Sequence, residues 1–313
     1  MGKDITVIGA AIIDILAGPV NENIFQMGSM PMQMTRMSFG GDALNEAVVL
    51  SRMGKNIELI SKIGNDEAGL RVLDYIRENG LNVNKVILEE NLATGMNIVL
   101  IDDKGERYFL TNPQGSLRKL SIEDILPHIE NMADIVSFAS IFVSPLLDID
   151  VMAHLFAEIK KKPGRILAAD ITKAKKGETL EDLKKILPYV DYIFPNHEEI
   201  TLLTGETDPL KNAKLLVEAG VKCAVVKCGS KGCLIHTEQE TYEIPTYAVE
   251  NVVDTTGAGD SFAAGFLYAL SEGMRLPECG RFACATASCA IECVGAVDGV
   301  KSVAEPMRRY LKM

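Results

Sequence analysis

The residues with the most chemistry per position form one heptad, Asp254-Thr255-Thr256-Gly257-Ala258-Gly259-Asp260, set directly before an apolar run at 261–270. Three small residues ahead of a helix leave backbone N–H groups uncovered. Those orphan donors and the positive end of the helix dipole make an anion site. Asp260 falls in the first helical turn, beside that site. A carboxylate next to an anion is repelled unless it has a task there. Taking the proton of an attacking hydroxyl is such a task, while the amides of Gly257, Ala258 and Gly259 hold the charge that develops on a transferred phosphoryl group.

Three further clusters carry weaker signals. Gly40-Gly41 precedes a helix bearing Asn45 about one turn in, and glycines there allow close approach of backbone to a ligand or a hinge. Asn45 can both donate to and accept from vicinal hydroxyls. Asn196-His197-Glu198-Glu199 offers a carboxamide and a carboxylate three residues apart, a set that suits Mg²⁺ through water. The same spacing is also that of a capping box. Lys227-Cys228-Gly229-Ser230 closes an apolar run and turns; a glycine-rich hairpin turn accounts for it as well as the ligand role that the resemblance below implies.

Together these residues resemble the signatures of the ribokinase family, also called the phosphofructokinase-B (PfkB) family of carbohydrate kinases. The resemblance covers nearly the whole chain, with its motifs in the expected order. It implies a three-layer α/β/α sandwich with a mostly parallel central sheet and a small β-sheet lid. It implies that Asp260 is the catalytic base and that the amides of 257–259 form the anion hole. It assigns substrate hydroxyls to Asp14, Gly40, Gly41 and Asn45. It places ATP and Mg²⁺ at Asn196 and Glu199 (the metal through water), and the nucleotide at Lys227, Gly229, Ser230 and the loop of Gly295. In several members that loop also offers carbonyls to a monovalent cation such as K⁺, helped by the residues equivalent to Asp254 and Thr256.

Departures blur the acceptor. Ile12 stands where ribokinases have Asn, and Val143 stands where they have an acid before Ser-Pro. After Asp170 the chain runs Ile171-Thr172-Lys173 and lacks the Asn and Arg of keto-sugar-acid and fructose kinases. Met27, Met30, Met32, Met34 and Met37 suggest an adaptable apolar wall in the lid, or lid-to-lid packing in a homodimer. The expected reaction is ATP-dependent phosphorylation of a primary hydroxyl of a sugar. The second candidate is a nucleoside kinase of the same family, and the third an inactive sugar sensor, which the intact Asp260 argues against.

The elements must bring these motifs together. Short apolar runs at 5–9, 57–63, 135–138, 166–170, 192–194 and 223–227 alternate with helical periods at 42–53, 66–79, 148–160, 179–187, 197–204 and 209–219. That alternation implies a mainly parallel sheet covered on both faces. Helices are also expected at 259–272, 277–292 and 304–311. Segments 16–39 and 96–110 break the rhythm, the second with a hairpin signal at Asp102-Asp103-Lys104-Gly105. Both are read as strands outside the main sheet that form the lid of one domain spanning 1–313. A length of 313 residues would otherwise suggest two domains at ~150 residues each.

The formal net charge of −11 argues against a nucleic-acid partner, which needs clustered Lys and Arg. No apolar run nears the ~18 residues of a membrane span, and residues 1–4 lead into no secretory signal. Seven cysteines without a CxxC pair fit reduced thiols in the cytoplasm. Gly9-Ala10-Ala11-Ile12-Ile13-Asp14 lacks the glycines of a dinucleotide fingerprint, so an oxidoreductase is not expected.

Overall fold

The computed structural model describes residues 4–104 and 106–312. In chain order the strands are β1 (Ile5–Ile8), β2 (Ile12–Val20), β3 (Met34–Gly40), β4 (Ile57–Gly64), β5 (Val86–Glu89), β6 (Met96–Asp102), β7 (Arg107–Thr111), β8 (Ile135–Ile141), β9 (Ile166–Ile171), β10 (Tyr192–Ile193), β11 (Cys223–Lys227), β12 (Cys233–Thr237) and β13 (Thr241–Ile244). The helices are α1 (Asp42–Arg52), α2 (Glu67–Glu78), α3 (Ile122–Ile125), α4 (Ile149–Lys160), α5 (Leu180–Leu183), α6 (His197–Thr204), α7 (Pro209–Glu218), α8 (Ala258–Ser271), α9 (Leu276–Ala290) and α10 (Ala304–Tyr310).

Nine strands form the main sheet in the order β13-β12-β11-β10-β9-β8-β1-β4-β5. Seven run parallel; β12 and β13 close one edge antiparallel. Strand alternation sends Ile5 and Val7 of β1 into the core under α1, α8 and α9, and Ile8 into the core under α4 and α7. The result is three layers. The chain leaves β1 toward β4 and returns to β8 on its other side, so the strand order switches direction at β1 and β8. In open α/β sheets, ligands bind outside the carboxyl ends of strands at such a point.

The second sheet has four strands in the order β3-β2-β6-β7. β2 pairs antiparallel with β3 and parallel with β6, and β6 pairs antiparallel with β7. The expected excursions are therefore present, with the first strand starting earlier, at Ile12. Segment 21–33 holds only a 3₁₀ turn. The 102–105 turn is set by Asp102, whose Oδ1 accepts the N–H of Lys104 (2.8 Å) and Glu106 (2.9 Å); Gly105 lies outside the described residues. Register places Asp14, Leu16, Arg36, Ser38, Asn97, Val99, Arg107, Phe109 and Thr111 on one face of this sheet.

One helix is shorter than its period predicts. The 179–187 segment gives only Leu180–Leu183, started by a Thr179–Asp182 capping box; a 3₁₀ turn through Pro188 follows at Leu187–Tyr189. No helix among the described residues is long and apolar enough to cross a membrane.

Candidate active site

α8 begins at Gly257, which adopts the left-handed conformation with φ +69°. A Cβ there would sit 2.3 Å from the Ala296 carbonyl oxygen, so only glycine fits. The first amide bonded within the helix is Ser261 N–H, which donates to Gly257 O at 2.8 Å. Ala258 N–H makes a long 3.3 Å bond to Thr255 O. The N–H groups of Gly259 and Asp260 have no acceptor among the described residues. Gly257→Ala is expected to reduce turnover by at least ~10-fold, because the left-handed turn costs an alanine about 1–2 kcal/mol and the Ala296 clash moves these amides. Rates beside a melting curve check this: full turnover at unchanged Tm would refute it.

Two cavities flank this helix start. One, of about 360 Å³, is lined by Asp14, Gly41, Asp42, Asn45, Asn97 and Asp260, with Arg118, Thr172, Lys175, Thr256 and Gly257 on further walls. The other, of about 570 Å³, is lined by Asn196, Lys227, Gly229, Ser230, Thr255, Ala258 and Gly259, and by Tyr247, Val249, Val252 and Ile291. Asp260 faces the first cavity, and the exposed end of α8 lies between the two.

In the smaller cavity Asp14 sits within β2, where Asn97 Nδ2 donates to its Oδ1 at 2.8 Å. Asn97 in turn accepts from Thr111 at 2.8 Å, so three lid strands set the orientation of one carboxylate. Gly41 caps α1 at φ +96°, and a Cβ would lie 2.5 Å from Ala10 O; that close approach opens the cavity floor. Asn45 Nδ2 donates to Asp260 Oδ2 at 2.6 Å. Asn45 therefore orients the carboxylate as well as lining the cavity.

Loss of water pushes the Asp260 carboxyl up to about 8, and the like charge of Asp42 adds to it; Asn45 and Lys227 pull the other way. Asp42 is raised too, chiefly by burial. Lys227 ends β11, its side chain only 13% exposed, and donates to Asp170 Oδ2 at 2.5 Å. Burial drives Asp170 up to about 7 even so, while Asp170, Glu199 and Asp260 raise Lys227 and keep it charged.

At α6, Asn196 and Glu199 form the reciprocal capping box: Asn196 Oδ1 accepts Glu199 N–H at 2.8 Å, and Glu199 Oε2 accepts Asn196 N–H at 3.2 Å. The structural reading of this motif is therefore real. It leaves Glu199 Oε1 without a partner among the described residues, on a half-buried carboxylate raised by burial and drawn down by Lys227. That oxygen fits a water-bridged Mg²⁺, whose shell takes oxygen donors.

Gly295 does not line the larger cavity. Its N–H donates to Asp254 Oδ2 at 3.0 Å, and α9 supplies that wall through Ala287 and Ser288, with Ile291 just past its end. The methionine stripe does not line the smaller cavity either. Met27, Met32 and Met37 are exposed, and the apolar wall is Ile12, Phe109, Leu117 and Val143. Gly40 lies against Asp14, whose Oδ2 a Cβ on Gly40 would approach at 2.5 Å.

Sequence reasoning missed Asp42, Asn97, Arg118, Lys175 and Tyr247. Asp42 was adjacent to a chosen motif. Asn97 and Tyr247 carry no motif, and only tertiary contact shows them. Tyr247 puts a hydroxyl without a partner among the described residues on the wall of the larger cavity.

A sheet switch point, a glycine-started helix between two cavities and a carboxylate facing one of them define a phosphotransferase fold of the ribokinase type. The chain belongs to the pfkB family of carbohydrate kinases, whose family model matches residues 3–302. An uncharacterized sugar kinase of Archaeoglobus fulgidus is 32% identical over 255 residues, 80% of this chain and 97% of that one. Arabidopsis thaliana ribokinase, solved with ribose and ATP, superposes with a TM-score of 0.84 at 24% identity over 99% of each chain. A ribokinase II from E. coli, solved with ATP and Mg²⁺, gives 0.82 at 22% identity over 100% of each. The chain is thus a carbohydrate kinase in class.

Proposed function

We propose that this kinase transfers the γ-phosphoryl group of ATP to a primary hydroxyl of a sugar-like acceptor. The observation that carries the reading is the placement of Asp260: its carboxylate faces the cavity lined by Asp14, Asp42, Asn45 and Asn97 while the α8 amides open between that cavity and its neighbour. The acceptor binds Asp14, Asn45 and Asn97. Asp260 takes the proton of the attacking hydroxyl. The N–H groups of Gly259 and Asp260 hold the charge that builds on the transferred group. The nucleotide lies in the larger cavity against Gly229, Ser230 and Tyr247. Mg²⁺, when bound, neutralises phosphate charge, and Glu199 holds its water shell. The net charge of −11 is compatible with a polyanionic ligand because oriented amides and Lys227, and not a basic surface, would hold it.

One observation favours the nucleoside alternative. Ile12, Phe109, Leu117 and Val143 give the acceptor cavity an apolar wall on which a base could stack. A panel of sugars, sugar acids, polyols and nucleosides, read by ADP release, decides between them. A nucleoside preferred ~10-fold or more in kcat/KM over every sugar overturns the sugar reading. Two finer expectations go with this function. Exposed Met37, Ile98, Tyr108 and Leu110 on the outer lid face support a lid-to-lid dimer. Seven free thiols support a reducing, cytoplasmic setting.

A further inference from the structure

The lid is pinned at both of its edges, at one to the loop that starts α8 and at the other to the loop that follows α9. On edge strand β7, Arg107 Nη2 donates to Asp254 Oδ1 at 2.6 Å. On the other edge strand, β3, Arg36 Nη2 donates to Asp298 Oδ2 at 2.9 Å. Strand register puts both arginines on the site-facing side with Asp14 and Asn97. The two loops that receive them are themselves joined, because Asp254 Oδ2 accepts the Gly295 N–H at 3.0 Å.

Asp254 is 5% exposed, and its carboxylate joins the heptad to the lid and to the Gly295 loop. Its Oδ1 also accepts the Thr256 N–H at 2.9 Å, one residue before Gly257. These N–H bonds and the Arg107 charge hold the carboxyl below its usual range in spite of burial. The family resemblance placed a monovalent cation here, on Asp254 and Thr256. The donor set does not fit one. Both carboxylate oxygens already accept hydrogen bonds, and a guanidinium supplies the positive charge. A second cation at bonding distance from Asp254 would face Arg107 at close range as a like charge. Arg107 lines neither cavity, although its charge reaches Asp14 and draws that carboxyl down against burial.

We propose that Arg107 takes the place of the monovalent cation: lid closure, and not K⁺, orders the loop that starts α8. Arg107 is then a positioning residue that acts through Asp254. The inference rests on the kinase reading of α8, and its test has one arm that needs no turnover. Melting curves of wild type and Arg107→Ala are compared in KCl and in choline chloride at equal ionic strength. Wild type should show no K⁺-specific gain in Tm, and Arg107→Ala should acquire one. A K⁺-specific gain in wild type, or none in the variant, overturns the proposal.

The second arm follows ADP release with the best acceptor from the panel. Wild-type kcat should be the same in K⁺ and in choline. Arg107→Ala should lose about 10-fold or more, mainly in kcat, as expected for one charge-assisted hydrogen bond. K⁺ or millimolar guanidinium should restore much of the loss, and Arg107→Lys should keep most of the rate. A loss that neither cation restores marks a packing role and overturns the proposal. Failure of wild type to transfer to any acceptor sinks the kinase reading alone, because the melting arm still decides the role of Arg107.

Discussion

Asp260→Asn is expected to lower turnover by ~10²–10⁴-fold, the usual worth of a positioned base, while the protein folds, binds nucleotide and melts later than wild type in alkaline buffer. The substitution keeps shape. The new carboxamide oxygen can still accept from Asn45 Nδ2, which donates to Asp260 Oδ2 at 2.6 Å in the wild type. What it cannot do is take a proton. The stability sign follows from the raised pKa. Burial and Asp42 carry the carboxyl from 3.8 up to about 8, so the fold favours the protonated acid. That favour is full below the ordinary value and is lost as pH climbs through about 8. The Tm advantage of Asp260→Asn should therefore widen between pH ~4 and ~8 and then level off. It should amount to several degrees, at roughly 2–4 °C per kcal/mol relieved. In wild type, log(kcat/KM) should rise with pH up to about 8, because only the ionised form is a base. A flat profile, or a variant within ~10-fold of wild-type rate, would remove Asp260 from the base role.

The sequence could show these residues because their signals are local. A glycine-started helix, an acid in its first turn and an Asx-type cap are written in consecutive positions, and α8, α1 and α6 formed where those signals stood. Strand and helix alternation likewise sufficed for the layers. Other features depend on chain crossings that no spacing encodes. Arg107 meets Asp254 across 147 positions, and Asn45 meets Asp260 across 215. The acceptor wall was placed in the methionine run because composition suggested it; the register of β2, β6 and β7 instead turns Phe109 and Asn97 inward. Lys227 was read as a nucleotide contact from the family resemblance, with a hairpin turn as the equal alternative. The missing information was Asp170, 57 positions away and 6% exposed, which makes that lysine half of a buried pair.

Lys227→Met carries the second large expected effect, since that pair sits beneath the base. The ammonium donates to Asp170 and lies within 3.3 Å of where a Cβ on Gly259 would stand, against the first turn of α8. Its charge lowers Asp42, Asp170, Glu199 and Asp260 together. Methionine keeps the volume and removes the charge. Breaking a buried pair costs about 3–5 kcal/mol when the partner stays charged. Asp170 stands at about 7 with the ammonium beside it and rises further without it, so in mildly acidic buffer it protonates and escapes most of the cost. The Tm loss should therefore be small in mildly acidic buffer and large above pH ~8. Without Lys227 the Asp260 carboxyl rises further, and the ascending limb of log(kcat/KM) moves to higher pH. The double variant Asp170→Asn/Lys227→Met separates the two roles. It should regain most of the lost Tm, since no uncompensated acid remains in that pair. It should also bring the pH profile back toward wild type, because the Asp170 charge that raises Asp260 leaves together with the Lys227 charge that lowers it. Wild-type Tm above pH ~8 in the single variant would show that Asp170 is not held as an anion there. A wild-type profile in the single variant would show that the ammonium does not act on the pKa of the base.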